Sequence, residues 1–358
     1  MTATTTKRPF GVGLLDALAG PHGIDRYLEI LRPVWSLGDA RAQVTEVRRP
    51  TRDSVTLTLR PNRGWSGFTA GQFIRMGVEI NGVRETRCYS PACSEGAHGV
   101  IEITVRRHPE GKVSGFLVDN ARPGMHVELS EADGDFILPA ERPAHVLLLS
   151  GGSGITPVMA MLRTLCEEGH RGSITFLHYS RGPADVAYKA ELDELARRHP
   201  NVRVVHGHTR EAGGDLAGHI DAGHLRAARV DPACTPAFAC GPPSLIEAAR
   251  QLWPDELLHT ESFLPPSLTI IGDDATGSIS FTGSGQRVEN DGRTLLEQAE
   301  RAELSPDFGC RMGICKTCTC RKTAGVVRNA LTGQVSAAED EDIQICVSVP
   351  VGDVALEL

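Results

Sequence analysis

From about Ala40 the chain alternates apolar and polar positions with a period of two. "SVTLTLRP", "GQFIRMGVEI" and "GVIEITVRR" each read as half-buried strands, separated by the turn signals "PNRG", "NG" and "EGAHG". Many short strands with regular turns predict a small antiparallel β-barrel ending near Pro139. The grammar then changes. "HVLLLS" is a continuous apolar run, followed by "GGSGITP" and the helical "VMAMLRTLCEEG". "SITFLHYS", "NVRVVHGHT" and "PAFAC" are further strands, with "DVAYKAELDELARRH" and "PPSLIEAARQLW" as the accompanying helices. Strands buried on both faces and alternating with helices predict a doubly wound α/β domain with a parallel sheet. Its last strand is "ELLHTESF". After the Pro- and Gly-containing "LPPSLTIIGDDATGS", "SISFTGSGQRVEN" reads as a hairpin and "TLLEQAERA" as a short helix. Upstream of all this, "IDRYLEILRPVW" puts Ile24, Tyr27, Leu28 and Leu31 on one helical face until Pro33 ends it. The expected layout is a helical extension over 1–39, a barrel over 40–140, an α/β domain over 141–265, a linker over 266–275 and a C-terminal domain over 276–358.

A chain of 358 residues is too long for one core. At roughly 150 residues per domain, two or three domains are expected. The net charge of −8 argues against nucleic acid and anionic lipid as principal partners. No apolar run approaches the ~18 residues of a membrane span. Lys7 and Arg8 precede a short apolar stretch, as in a secretory signal, but Pro9 and Asp16 interrupt it and no cleavage site follows. The ten cysteines are unevenly placed, with Cys310, Cys315, Cys318 and Cys320 close together. A tight group in a long chain reads as a metal site in a reducing compartment, and the expected location is cytoplasmic.

"CRMGICKTC", from Cys310 to Cys318, has the spacing C-x4-C-x2-C of a plant-type [2Fe–2S] protein. Cys310, Cys315 and Cys318 supply three thiolates from one loop. Cys346, in "IQICVS" and 28 positions after Cys318, is the expected fourth. Gly309 and Gly313 let the backbone wrap close to the inorganic sulfides, where N–H groups can hydrogen-bond to them. Four thiolates could hold zinc instead. Zinc sites, however, usually pair one C-x2-C with another, not three cysteines of one loop with a distant fourth. Cys320 is expected to be a spare thiol on the next strand. Residues 276–358 resemble a plant-type ferredoxin domain, which implies a β-grasp fold.

"TRCYSPA" holds Arg87, Tyr89 and Ser90. An Arg can pair with a flavin phosphate, a Tyr can stack on the ring, and a Ser hydroxyl can hydrogen-bond to flavin N5. Alone, these residues are equally explained by a strand entering a turn. "GKVSGFL" puts Gly111, Val113 and Ser114 at a helix start, where unpaired N–H groups suit a pyrophosphate. "GGSGITP" follows a strand and opens a helix, as a phosphate turn should. Gly152 and Gly154 permit close approach, while Pro157 stands where G-x-G-x-x-G has its third glycine. "CGPP" ends a later strand with Cys240, Gly241 and Pro242, and a buried structural cysteine is the alternative there.

In this order the motifs resemble those of the ferredoxin–NADP reductase superfamily. The resemblance implies FAD, with FMN the alternative, at Arg87, Tyr89, Ser90 and the helix start. It implies a nicotinamide beside Thr156 and against Cys240. "HTESF" resembles the family's E-x-aromatic ending, which implies Glu261 near Ser90 and Phe263 over the flavin, although the chain continues here. Ser90, Cys240 and Glu261 are therefore the candidate catalytic residues. The order flavin, nicotinamide, ferredoxin is that of the phthalate dioxygenase reductase type. The whole chain, including "RPVWSLGDARAQV", resembles bacterial oxidoreductases that feed diiron fatty acyl desaturases.

A nicotinamide gives up a hydride, a [2Fe–2S] cluster accepts one electron, and a flavin can split the pair. The expected function is an NAD(P)H-dependent reductase serving an oxygenase, hydroxylase or desaturase, with peripheral association at a membrane-bound partner. NADPH is expected over NADH: Thr209 and Arg210 in "HTRE" resemble the family's 2′-phosphate pair, and Arg181 ends the preceding strand. "AEDED", Ala338 to Asp342, suits a basic partner. The alternatives are a flavin reductase or oxidase, and a redox-sensing module without turnover.

Overall fold

The computed structural model describes residues 40–109, 111–263, 275–309, 311, 313 and 316–358. The helix expected over Ile24–Leu31 lies outside them, as do Cys310, Cys315 and all but the last residue of the expected linker. The first two sheets, apart from Glu261, lie in one compact unit, and the third sheet lies in another that also takes in Gly241–Glu247 and Glu261.

The first sheet comprises β1 (Arg41–Thr51), β2 (Ser54–Pro61), β3 (Ile74–Ile80), β4 (Val83–Tyr89), β5 (Ile101–Arg106) and β6 (His126–Leu129), in the order β4-β3-β6-β1-β2-β5. Every pairing is antiparallel. The alternation seen in the sequence is the burial pattern: Ile101, Ile103 and Val105 of β5 face the core, and their neighbours do not. The "NG" between β3 and β4 turns as such pairs do, with φ of 54° at Asn81 and 79° at Gly82. The two edge strands approach each other, and Ala92 N donates to Glu102 O at 2.8 Å across the gap. The sheet thus curls as the expected barrel. Helix α1 (Lys112–Asn120) turns Val113, Leu117 and Val118 into its core.

The second sheet comprises β7 (His145–Gly151), β8 (Ser173–Ser180), β9 (Val202–His208), β10 (Leu216–Ala217), β11 (Ala237–Cys240) and β12 (Leu258–Glu261), ordered β10-β9-β8-β7-β11-β12. From β10 to β11 the neighbours pair in parallel. Val146 to Leu149 of β7 are each at most 2% exposed, which explains the unbroken apolar run. The helices are α2 (Ile155–Glu167), α3 (Lys189–Arg198), α4 (Ala222–Ala228) and α5 (Pro243–Leu252). α3 begins later than the sequence pattern suggests, because Val186 and Tyr188 are buried ahead of it. β7 lies between β8 and β11, so the strand order reverses where the Gly152–Gly154 turn leaves the sheet. That is where open α/β sheets bind ligands.

The third sheet comprises β13 (Ser278–Phe281), β14 (Gln286–Glu289), β15 (Thr319–Asn329), β16 (Val335–Ser336), β17 (Glu341–Gln344) and β18 (Ser348–Leu356). Its order is β14-β13-β18-β15-β16, with β17 on β15. The central pair β13–β18 is parallel and the flanking pairs are antiparallel. Helix α6 (Leu295–Arg301) starts with a capping box between Thr294 and Glu297 and buries Leu295, Leu296 and Ala299. This is the expected β-grasp arrangement.

Candidate functional site

β4 ends at Tyr89, and Ser90 opens the loop that leads to β5. Ser90 is 2% exposed, and its Oγ has no hydrogen-bond partner among the described residues. Leaving such a hydroxyl unpaired costs about 1–3 kcal/mol, so the position is suited to a polar group supplied by a ligand. Burial pushes the neighbouring Tyr89 phenol well above its ordinary pKa, so it is neutral. Arg87 stands 3.7 Å from Glu85 and donates to Thr86 O at 2.7 Å. Glu85 also takes Lys112 at 2.5 Å, which ties the start of α1 to β4. At that start Gly111 is obligatory in space: a Cβ would stand 2.3 Å from Ser114 Oγ. Ser114 Oγ donates to Gly111 O at 3.2 Å and accepts from His108 N at 3.0 Å. No side chain caps α1, so its first N–H groups are left for a ligand. An unpartnered buried hydroxyl, an arginine and an uncapped helix start fit a flavin nucleotide.

The second half of the site lies at the head of α2. Gly152 has φ of +55° and continues β7 into the turn. Thr156 is 3% exposed, with Oγ1 donating to Ser153 O at 3.4 Å. Pro157 falls in the first helical turn, where its missing N–H breaks no bond. Gly152, Ser153, Ile155 and Thr156 line a cleft opposite Thr104 and Arg106 of the first sheet. The sequence reading missed Arg106. Its Nε donates to Asp53 Oδ2 at 2.9 Å, while its buried Nη2 makes no hydrogen bond and stands 3.9 Å from Asp185. Burial would raise the Asp53 carboxyl, but hydrogen bonds from Arg106 and Thr51 outweigh it and hold the pKa below its ordinary value. The signal in the sequence was a pair of arginines ending a strand in "TVRRH".

Cys240 ends β11 fully buried, in register with Ser150. Gly241 N donates to Glu261 O at 3.4 Å, and its carbonyl accepts from Ser262 Oγ at 3.3 Å. Pro242 O accepts from Leu245 N at 2.9 Å as α5 begins. Glu261 is buried and Phe263 half-buried. At the ends of β8 and β9, the backbone brings together the three residues expected at a 2′-phosphate. Thr209 Oγ1 donates to Ser180 O at 3.2 Å, and Arg210 N donates to Arg181 O at 3.0 Å. Both arginines are exposed. Glu211, which the sequence reading did not weigh, lies against Gly182, where a Cβ would be 2.2 Å from its carboxylate.

In the third sheet Cys318 and Cys346 are 3% and 4% exposed. Gly313 N donates to Cys346 Sγ at 3.3 Å. Arg311, Gly313 and Lys316 have φ of 58°, 72° and 55°, so the loop coils through the left-handed region. A Cβ on Gly313 would also press on Val347 at 3.0 Å. Buried thiols with an N–H aimed at sulfur fit an iron–sulfur cluster. Cys320 lies on β15 and its Sγ donates to Glu357 O at 3.5 Å, as a spare thiol would. Burial pushes that thiol's pKa up.

Three family models match in succession: an oxidoreductase FAD-binding domain over 41–137, an oxidoreductase NAD-binding domain over 148–251, and a 2Fe-2S iron-sulfur cluster binding domain over 279–351. A Mycobacterium tuberculosis protein named NADPH oxidoreductase is 36% identical over 343 residues, covering 93% of this chain and 88% of that one. The glycine betaine monooxygenase reductase subunit of Pseudomonas aeruginosa is 30% identical over 325 residues, covering 81% and 87%. Among solved structures, phthalate dioxygenase reductase superposes with a TM-score of 0.60 at 25% identity, covering 89% of this chain and 97% of that one. The chain is a flavoprotein reductase of the ferredoxin–NADP reductase superfamily and belongs to its three-domain members, with FAD-binding, NAD-binding and [2Fe–2S] domains in the order of phthalate dioxygenase reductase.

Proposed function

We propose that this reductase takes hydride from NADPH and delivers single electrons to an oxygen-activating partner. The observation that carries the reading is the presence on one chain of a flavin, a nicotinamide and a cluster domain, the three stations such a path needs. When bound, the nicotinamide, flavin and cluster supply hydride donation, splitting of the electron pair and one-electron exit, respectively. The chain's own residues bind and orient them. Arg87 and the 111–114 helix start hold the FAD phosphates, Tyr89 covers the ring and Ser90 meets its N5. Gly152, Gly154, Thr156 and Pro157, with Arg106 opposite, receive the nicotinamide side of the coenzyme. Cys240, Gly241 and Pro242 border the nicotinamide, and Glu261 and Phe263 complete the flavin face. Cys310, Cys315, Cys318 and Cys346 hold the cluster. The domains run 40–140, 141–265 and 276–358.

The partner is an oxygenase in the broad sense, as in the monooxygenase system for which the Pseudomonas relative is named. Within that class a diiron fatty acyl desaturase is the reading the whole-chain resemblance favours, with cytoplasmic, peripheral docking on it. No helix among the described residues is long and apolar enough to cross a membrane. NADPH preference rests on Thr209, Arg210 and Arg181. One preparation tests the reading: chromatography of the flavin released on denaturation, iron and sulfide analysis, and kcat/KM for both coenzymes. FAD, two irons per chain and a preference for NADPH are expected. Arg210→Ala should cost NADPH roughly 1.5–3 kcal/mol and leave NADH unaffected. FMN alone, zinc in place of iron, or preferential turnover of free flavin would each overturn its part.

A further inference from the structure

Arg163 belongs to none of the motifs above, yet its guanidinium makes four hydrogen bonds and lies over an aromatic ring. It sits two turns along α2 from Thr156, in a helix otherwise buried almost all round. Its guanidinium donates to Glu191 of α3 at 2.7 and 2.6 Å, and to Glu102 of β5 at 2.8 Å. Nη1, which also meets Glu102, donates to Ala92 O at 2.6 Å. The plane lies over the Tyr188 ring at 5.2 Å, and the Tyr188 hydroxyl bonds Thr104 of β5 at 2.5 Å. Glu102 also takes Arg48 at 2.5 Å, so two carboxylates face two cations and no charge is left over.

The location of Ala92 gives this network its meaning. Ala92 is two residues past Ser90, on the loop that carries the unpartnered hydroxyl. The rest of that loop rests on the same helix: Glu95 N donates to Thr164 Oγ1 at 3.1 Å, and Ser94 Oγ bonds Glu167. Positions 163, 164 and 167 of α2 thus grip residues 92–95, while the head of α2 forms the Gly152–Thr156 turn. A rigid helix therefore joins the two halves of the hydride-transfer site.

We propose that Arg163 is a positioning residue for hydride transfer, fixing the Ser90 loop of the flavin sheet relative to the nicotinamide turn at the head of α2. The proposal rests on the flavin and nicotinamide reading of those two segments. Proximity carries much of a hydride transfer, and a misplacement of about 1 Å can cost on the order of 100-fold in rate. Substrate binding should not share that loss, because Arg163 touches neither the strand-end arginines nor the turn itself.

The test uses the holoenzyme with Arg163→Met and Arg163→Lys. For Arg163→Met, flavin reduction by NADPH should fall about 100-fold with KM for NADPH and flavin content unchanged. Amide hydrogen exchange at residues 92–96 should rise while β7 and β8 stay protected. Reoxidation of chemically reduced enzyme by ferricyanide should keep its wild-type rate. Arg163→Lys, which keeps one charge but cannot span both carboxylates and the carbonyl, should lie between, and it serves if the Met variant does not fold. Wild-type reduction rates despite faster exchange at 92–96 would overturn the proposal. So would reoxidation slowed as much as reduction, because Arg163 would then only stabilise the fold. If NADPH failed to reduce even the wild type, the function reading would fall, an outcome distinguishable from either.

Discussion

Arg163 and Arg311 each hold a loop to which the proposed function gives a redox role, and they do it with different strength. Arg163 is 15% exposed, is ringed by two carboxylates, a carbonyl and an aromatic face, and grips its loop from a helix. Burial alone would weaken its charge, but the carboxylates outweigh that and raise its pKa above the ordinary arginine value. Arg311 is itself part of the loop it steadies. It is 37% exposed, pairs with Glu300 of α6 and lies 4.0 Å over the Phe308 ring. Breaking a buried network by removing one partner costs about 3–5 kcal/mol, because it strands the other charges. Breaking a half-exposed pair costs about 0.2–1 kcal/mol. The flavin loop has no covalent tether and is positioned by the protein alone. The cluster loop is expected to be held by metal–thiolate bonds, so its arginine can be weaker.

The largest effect should come from removing one of those bonds. Cys346→Ser is expected to abolish or severely distort the cluster absorbance while flavin absorbance and NADPH-driven flavin reduction persist. A normal cluster in that variant, together with its loss in Cys320→Ser, would move the fourth ligand to Cys320 and erase the contrast. Next in size is Arg163→Met, which should lower unfolding stability by about 3–5 kcal/mol, followed through tryptophan emission in urea. A loss below about 1 kcal/mol would mean the network is no stronger than a surface pair.

The two arginines also differ in how visible they were. Arg311 falls inside "CRMGICKTC", where spacing identifies the loop. Arg163 could be noticed only as the one basic residue in "VMAMLRTLCEEG", and its partners come from β5, α3 and the 92 loop, each far away in sequence. The period-two runs and the "HVLLLS" run made the sheets legible, because burial on one or both faces is written locally. Ser90, Thr156 and Cys346 could be singled out as candidates because the proposed chemistry needs fixed neighbours. Arg106, Glu211 and Arg163 were not, because their roles arise from contacts between separate elements. Lys322 is a similar case. It occupies an inward position of β15 at 0% exposure, with Nζ donating to Gly325 O at 2.8 Å and Ala338 O at 2.5 Å.

Acid should separate the halves further. His178 of β8 is buried, with Nδ1 bonded to Ser150 Oγ at 2.8 Å. Burial first, then His206, His208 and Arg106, drive its pKa from 6.5 to about 3. It stays neutral in the fold, whereas the unfolded chain takes up a proton below 6.5. Stability from this group is therefore complete above that pH and is lost progressively between about 6.5 and 3, amounting to about 2 kcal/mol by pH 5. His206, also lowered by burial, acts in the same direction. All thirteen histidines lie upstream of the third sheet. Urea midpoints read by tryptophan emission should fall from pH 7.5 to 5, with cluster absorbance falling less. Equal shifts in both signals would remove the histidines as the cause.

The smallest effect belongs to Arg311 and tests why its pair is weak. Arg311→Ala removes the pair with Glu300 and the contact with Phe308 but keeps a Cβ at φ of +58°. Its expected cost is about 1 kcal/mol or less. Arg311→Gly loses the same contacts and relieves a left-handed conformation worth roughly 1–2 kcal/mol. The added freedom of glycine in the unfolded chain takes back about 0.4–1 kcal/mol. The glycine variant should therefore retain its cluster to a higher urea concentration than the alanine variant, by several tenths of a kcal/mol in midpoint stability. If alanine were the better tolerated, backbone strain would not be what the Glu300 pair offsets. If both variants lost the cluster outright, Arg311 would be holding its loop as firmly as Arg163 holds the Ser90 loop.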